Sequence, residues 1–101
     1  MNMNYYMDHI KEELDGALEY VNTALELKGS KPSWSKMFLE MSAAELQHAE
    51  YLNKMCEENY ETVRNAYKMV PSGIRAKYDD ISACYKSMSE EIKLLHAEYN
   101  K

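Results

Sequence analysis

Glycine and proline are scarce in this sequence, with three glycines and two prolines among 101 residues. Proteins rich in β-turns depend on both residue types, so their scarcity argues against such a protein and favours long helices. Apolar residues make up 46% of the chain, which is enough for a hydrophobic core. The length suits one domain, and small helical domains often gain stability by forming oligomers.

Basic side chains are fewer than acidic ones. Twelve Lys and Arg residues stand against 17 Asp and Glu residues, which gives a net charge of −5. Proteins that bind nucleic acid without sequence preference need a basic face, so we expect no nucleic-acid partner. No apolar stretch approaches the roughly 20 residues that cross a bilayer, and the first residues lack the pattern of a signal peptide. We therefore expect a cytoplasmic protein with no membrane partner.

Cysteine is also rare. The two cysteines are Cys56 and Cys84, and no C-x-x-C pair is present. Two cysteines at this spacing do not predict a set of disulfide bonds. We interpret both side chains as thiols in a reducing compartment.

Two short breaks divide the chain into three helical segments. The first break is KGSKPSW, in which Gly29 is predicted as a helix C-cap and Ser30 or Ser33 as the next N-cap. The second break is VPSG, in which Pro71 ends one helix and Ser72 is predicted to cap the next.

The segments predict an all-α fold in a single domain over residues 1–101. The predicted helices cover about 4–28, 33–69 and 72–99. A further break near residues 57–59 would give four helices. The absence of Gly and Pro between residues 35 and 70 favours three.

Each segment carries a stripe of residues at helical spacing. The first predicted inward stripe is Tyr6, Ile10, Glu13, Ala17, Tyr20, Ala24 and Leu27. The second is Trp34, Met37 or Phe38, Met41, Glu45, His48, Leu52 and Met55, followed by Tyr60, Val63 and Tyr67. The third is a regular heptad seam of Ile74, Tyr78, Ile81, Tyr85, Met88, Ile92, Leu95 and Tyr99. Such a seam needs a partner helix along its full length.

Two polar residues interrupt the stripe of the second segment. Glu45 and His48 are three positions apart, so a helix places both side chains on one face. Burying either group without a partner is costly, and a metal ion or a hydrogen-bonded pair would compensate. A small rotation of the helix would instead turn Ala44 and Leu52 inward and leave both polar groups at the rim. Combined carboxylate and imidazole ligands suit iron, manganese or zinc.

A second carboxylate, Glu13, lies in the stripe of the first segment, where Gly16 and Ala17 leave room beside it. The short connection makes the first two helices antiparallel neighbours. Glu13 precedes the turn by about as many residues as separate the turn from Glu45, so we expect both carboxylates at nearly the same level. The pattern predicts a metal site of Glu13, Glu45 and His48. We assign no ligand role to the other two histidines, at positions 9 and 96.

The segments EELDGALEY and AAELQHAEYL resemble the first half of the ferritin-like superfamily, as in rubrerythrins and encapsulated ferritins. The shared pattern is a Glu followed seven positions later by a Tyr, here Glu13 and Tyr20, and then Glu-x-x-His-Ala, here beginning at Glu45. The resemblance covers residues 4–56. A complete bundle uses two such halves, and the third segment does not supply the second one.

The resemblance implies that a second copy of the chain completes the site. Superfamily members with a single half dimerise, and a twofold axis brings Glu13, Glu45 and His48 of two chains together at an isologous interface. The implied fold is an antiparallel helical hairpin plus a third long helix, which completes a four-helix bundle by dimerisation. The heptad seam of the third segment fits a chain that needs such a partner.

The resemblance further implies a ferroxidase-type activity, in which two Fe(II) ions bind and oxygen or peroxide takes their electrons. Either Glu13 or Glu45 would bridge the ions, and His48 would be a terminal ligand. Tyr20 would hydrogen-bond a ligand and hold its orientation. The implied cofactor is iron, with manganese or zinc as alternatives.

A second interpretation is a non-enzymatic, acidic helical interaction module, or adaptor, with a vestigial site. The seam of the third segment, the eight methionines and nine tyrosines, and the acidic balance favour it. The two interpretations differ in whether the protein takes up stoichiometric iron.

Overall fold

The computed structural model describes residues 3–101 and contains three helices. Helix α1 spans Met3–Leu27, α2 spans Pro32–Tyr67 and α3 spans Ser72–Tyr99, and the described residues include no strand. The predicted all-α fold of three helices is confirmed. Helix α2 continues unbroken through residues 57–59. Among the described residues, no helix combines the length and the apolar character that crossing a membrane requires. The predicted domain boundary at residue 1 lies outside the described residues.

The helices begin without the predicted serine caps. Helix α2 has Lys31 at its N-cap and Pro32 in its first turn, where the missing proline N–H leaves no hydrogen bond unmade. Helix α3 has Pro71 at its N-cap, and Ser72 is already its first helical residue. The connections therefore end and restart the helices through backbone conformation rather than through side-chain capping.

Helices α1 and α2 are antiparallel and pack through small side chains. Four of the five buried residues of α2 recur every seven positions: Ser35, Ser42, Ala49 and Cys56. The Ser35 hydroxyl donates a hydrogen bond to the carbonyl oxygen of Ala24 at 2.5 Å, and that of Ser42 donates to Ala17 at 2.6 Å. Side-chain hydroxyls reach the opposing backbone only where two helices approach closely, so these small residues fix the register of the pair.

The core lies on a different side of α2 from the one that the sequence pattern predicts. Trp34 and Met41, both in the predicted inward stripe, are 52% and 43% exposed. The buried side carries Ser42, Leu46 and Ala49 instead. The prediction followed the large apolar side chains, but the tight contact with α1 accepts small ones, including buried serines whose hydroxyls are hydrogen-bonded.

The buried side of α1 is also rotated relative to the predicted stripe. Its buried residues are Met3, Met7, Ile10, Leu14, Ala17, Val21 and Ala24. Glu13 and Tyr20 are half-buried at the edge of this surface. The rotation leaves the carboxylate of Glu13 beside α2 rather than inside the core.

Helix α3 lies mainly against α1 and contacts α2 much less. The predicted heptad seam packs against the core of its own chain, with Ile92 fully buried and most other members partly buried: Ile74, Tyr78, Ile81, Tyr85 and Met88. The interpretation of this seam as a surface for a second chain is therefore wrong. Its helical partner is α1 of the same molecule.

Polar contacts hold the end of α3 against the other two helices. His96 Nε2 lies 2.8 Å from the Ser42 hydroxyl oxygen. Because the single proton of Ser42 is donated to the Ala17 carbonyl, the imidazole donates and the hydroxyl accepts. Burial lowers the pKa of His96, which keeps the ring neutral. One turn on, the hydroxyl of Tyr99 lies 3.0 Å from that of Ser35.

Helix α2 is longer than α1, and its last turns have no α1 beside them. Cys56 is the last buried residue of α2. Beyond it, the ring of Tyr60 contacts that of Tyr78 edge to face, with 3.9 Å between centroids. An apolar notch lies further out, lined by residues that include Val63 and Ile74. We call the segment over residues 57–67 the arm of α2, and its contacts include those with the start of α3.

Replacing Ser42 by alanine tests the contact among the three helices. Ser42→Ala leaves the part-buried His96 N–H without an acceptor, so we expect the free energy of unfolding to fall by about 1–3 kcal/mol. The control is Ser87→Ala, at an exposed position of α3, with a change within about 0.5 kcal/mol. Urea denaturation of metal-free protein measures both. Equal effects for the two variants would show that the Ser42 hydrogen bonds add no stability.

Candidate metal centre

Glu13, Glu45 and His48 lie together along one side of the α1–α2 pair. One potential ligand atom from each residue lies within 4.8 Å of the other two. The antiparallel pairing sets Glu13 of α1 beside Glu45 of α2, and His48 follows one turn later on the same side of α2. Among residues 3–101, no other group of three potential ligands comes together in this way.

Glu13 carries an oxygen atom without a hydrogen-bond partner. Its side chain is 24% exposed, but the Oε2 atom is shielded from solvent and accepts no hydrogen bond from any described residue. The nearest cationic candidate is His48, whose Nδ1 lies 3.5 Å from this oxygen, without the geometry of a hydrogen bond. Buried carboxylate oxygens without a partner are costly. Such an atom is suited to accept a metal ion.

The carboxyl of Glu45 is held close to that of Glu13. Hydrogen bonding to Glu13, followed by burial and by the negative charge of Glu13, raises the pKa of Glu45 to about 7, while His48 opposes part of this rise. Two neighbouring carboxyl groups share a proton because ionising both places like charges side by side. A bound cation removes that repulsion. The pair is therefore arranged to release a proton when a metal ion binds.

His48 is more exposed than the sequence pattern predicts. Its side chain is 55% exposed, whereas Glu45 is half-buried. The expectation that both face the buried side of α2 is wrong, and both lie at the rim as in the alternative with the rotated helix. Ala44 is also exposed, so the rotation does not bring it inward. An imidazole at the rim is open to solvent and to any second molecule that covers this side.

Gly16 supplies the space in which the Glu45 carboxyl lies. A Cβ atom added at Gly16 would be 3.1 Å from Oε2 of Glu45. The sequence predicts room beside Glu13 at this position, and the structure fills that room with the side chain of Glu45. The sequence signal for this contact is a glycine in the middle of a helix with no turn.

Tyr20 and His9 also lie at the edge of α1 on half-buried positions. The ring of Tyr20 contacts that of Phe38, with 6.0 Å between centroids, and no described residue accepts a hydrogen bond from its hydroxyl. The role of Tyr20 in orienting a ligand stays a prediction. His9 Nδ1 lies 3.2 Å from a Glu12 carboxylate oxygen and is not part of the three-residue cluster.

His48 also belongs to an exposed row of mostly apolar side chains. We call this row the outer stripe of α2. It consists of Trp34, Met37, Met41, Ala44, His48, Tyr51 and Met55, all of them exposed. Its members alternate at steps of three and four, so they form one continuous line along the helix. Among residues 3–101, no helix covers the outer stripe.

The donor set fits a divalent transition metal. Carboxylate and imidazole ligands together suit iron, manganese and zinc. The unpartnered Oε2 of Glu13, the space at Gly16 and the accessible imidazole of His48 agree with that use. Three residues on one exposed side leave coordination positions that a single chain does not fill.

The family model described as Rubrerythrin matches residues 7–101 of the chain. No curated protein and no solved structure matches it. The family match spans all three helices, whereas the sequence resemblance rests on the first two.

The pH dependence of stability tests the shared proton of the two carboxyl groups. The pKa of Glu45 is about 7 in the folded chain, against an ordinary value of 4.5. The folded state therefore holds this proton more tightly, and the stability that it contributes is present below pH 4.5 and lost as the pH rises through 7. Glu45→Gln cannot ionise. We expect its Tm in metal-free buffer to exceed that of wild type by about 5 °C at pH 8 and to match it near pH 5.

Glu91→Gln is the matched control, since it removes the same charge from an exposed position of α3. Its Tm should follow that of wild type from pH 5 to pH 8. Thermal unfolding in the presence of a chelator measures all three proteins. A gap between wild type and Glu45→Gln that does not change with pH would contradict the shared proton.

Proposed function

The chain belongs to the rubrerythrin family, part of the ferritin-like superfamily, and we propose on this basis that it is a metal-binding protein whose di-iron site is completed by a second copy of the chain. Each copy contributes Glu13, Glu45 and His48 as ligands. Fe(II) is the substrate in a ferroxidase-type reaction. Each ion loses one electron, and dioxygen or peroxide accepts it.

The observation that carries the proposal is the unpartnered, solvent-shielded Oε2 of Glu13 within a cluster of three ligands. In a hydrogen-bonded core pair this oxygen would accept a hydrogen bond within the chain. Instead it faces His48 at 3.5 Å and lies beside a carboxyl that keeps its proton up to about pH 7. A cation that binds among these groups satisfies the oxygen and displaces the proton.

The three side chains have different roles in this proposal. Glu13 offers an oxygen that accepts no hydrogen bond from the described residues. Glu45 would release its proton to solvent when an ion binds, and its carboxylate would then be a charged ligand. His48 binds through a neutral nitrogen from the rim. When bound, the iron pair supplies the two electrons that an oxygen or peroxide acceptor takes up.

The outer stripe supports a second copy of the chain as the missing half. It runs from Trp34 to Met55, and its midpoint falls between Ala44 and Glu45. A twofold axis through that point places Trp34 of one copy beside Met55 of the other and brings both metal clusters to the axis. An isologous contact requires a surface of this kind, which is complementary to itself.

The size and chemistry of the outer stripe also favour a partner. Trp34, Met37, Met41, Tyr51 and Met55 are each at least 43% exposed. Continuous apolar surface is unusual on a monomer and marks an interaction site. Two α1–α2 hairpins joined along this line form a four-helix bundle, the architecture that holds carboxylate metal sites in its core.

The adaptor interpretation uses the same surface for a different purpose. In it, a helical segment of another protein covers the outer stripe, and the ligand cluster is vestigial. The unpartnered oxygen of Glu13 favours the metal-binding proposal, because a vestigial cluster gains nothing from keeping it. Metal uptake separates the two interpretations.

Anaerobic titration with Fe(II) followed by admission of air tests metal binding. We expect wild type to bind one iron per chain, and the absorbance of Fe(III) to rise in the near ultraviolet. Glu45→Ala and His48→Ala each remove a ligand, and we expect at least a tenfold loss of affinity, about 1.4 kcal/mol or more. Glu90→Ala, on the exposed side of α3, should bind as wild type does. Absence of iron uptake by wild type would favour the adaptor interpretation.

A charge within the outer stripe tests the second copy. Met37 lies two turns before Glu45, is not a ligand and is 59% exposed in the single chain, so Met37→Glu should separate a dimer by burying a carboxylate without a partner. The control is Leu94→Glu, since Leu94 is 71% exposed on α3, outside the outer stripe. Sedimentation equilibrium measures the mass of both. A monomeric wild type, or a Met37→Glu variant with unchanged mass, would contradict the dimer.

A further inference from the structure

Gly16 lies in the middle of α1, where the helix itself does not require glycine. Helix α1 extends from Met3 to Leu27, and no glycine of the described chain has positive φ. Glycine within a helix costs about 1 kcal/mol relative to alanine. Neither a turn nor a left-handed backbone conformation explains its presence, so the reason must be the space that the missing side chain leaves.

That space is used by a single neighbour. The three atoms nearest to an added Cβ all belong to Glu45: Oε2 at 3.1 Å, Cδ at 3.6 Å and Cγ at 3.7 Å. The other two glycines, Gly29 and Gly73, have no such neighbour within 4 Å. The contact at Gly16 is therefore specific to the side chain that we propose as a metal ligand.

We infer that Gly16 is a positioning residue, whose lack of a side chain lets the Glu45 carboxyl lie across α1 beside Glu13. The contact between Gly16 and Glu45 stands on the geometry alone. Its consequence for metal binding rests on the proposed function. A methyl group at position 16 would move the Glu45 carboxyl by a few tenths of an ångström, which changes its distance to the other two ligands.

The inference predicts opposite effects of one substitution on two properties. Gly16→Ala adds a better helix former, so it favours the folded helix. The same methyl group displaces a ligand, so it weakens metal binding, because mutating residues that orient a metal ligand typically costs about 10- to 100-fold in metal affinity. A residue with only a structural role would change stability and metal affinity in the same direction.

A double-mutant cycle on metal-free protein tests the contact itself. The four proteins are wild type, Gly16→Ala, Glu45→Ala and the double variant. In the Glu45→Ala background the methyl group meets no carboxyl, and we expect it to raise Tm by about 4 °C or more. In wild type we expect less than half of that gain. Equal gains in both backgrounds would show that the two residues are not coupled, and this would overturn the inference.

Calorimetric titration with Fe(II) under nitrogen tests the consequence for the metal. We expect Gly16→Ala to bind at least about tenfold more weakly than wild type. The matched control is Gly73→Ala, in the first turn of α3 with open space around it, and its affinity should equal that of wild type. Unchanged affinity in Gly16→Ala would overturn the positioning role while the proposed function stands. If wild type binds no Fe(II), the proposed function fails, and the metal-free cycle still decides whether Gly16 positions Glu45.

Discussion

The close contact between α1 and α2 is the constraint on which the rest of the structure depends. Buried serines of α2 donate to backbone carbonyl groups of α1 at 2.5 and 2.6 Å, and this requires small residues on both sides. The contact fixes the register of the two helices, and the register brings Glu13 level with Glu45. The contact also positions the hydroxyl groups of these serines, which form polar contacts with His96 and Tyr99 of α3.

The molecule divides its apolar surface between two uses. The heptad seam of α3 packs against the core of its own chain. The outer stripe of α2, in contrast, remains exposed around the ligand cluster. Several large apolar residues of α2, among them Trp34, Met37 and Met41, are exposed because small residues occupy the side that packs closely against α1. A single chain therefore forms a stable hairpin and presents its candidate metal ligands at an open seam rather than in an enclosed core.

Much of this could be predicted from the sequence. Two breaks with Gly and Pro predict three helices, and the spacing of Glu13 and Glu45 about the first turn predicts their meeting. The buried side of α2 could not be predicted in the same way. Periodicity identifies a stripe of large apolar side chains, but it does not tell whether they face their own chain or a second one. Ser42 is polar in the sequence and becomes a core residue only because Ala17 lies opposite with a carbonyl oxygen. The free oxygen of Glu13 depends on distances of a few tenths of an ångström.

The arm of α2 beyond Cys56 has a consequence for how the molecule opens. Residues 57–67 have no buried side chain. Their backbone amides are released by fraying of the helix end, which costs less than disrupting the core. The ligand cluster lies about three helical turns before the arm, on the part of α2 that packs against α1. We therefore expect amide hydrogens to exchange faster at the arm than at the centre of α2, and we expect opening of the arm to leave the positions of the carboxylates unchanged.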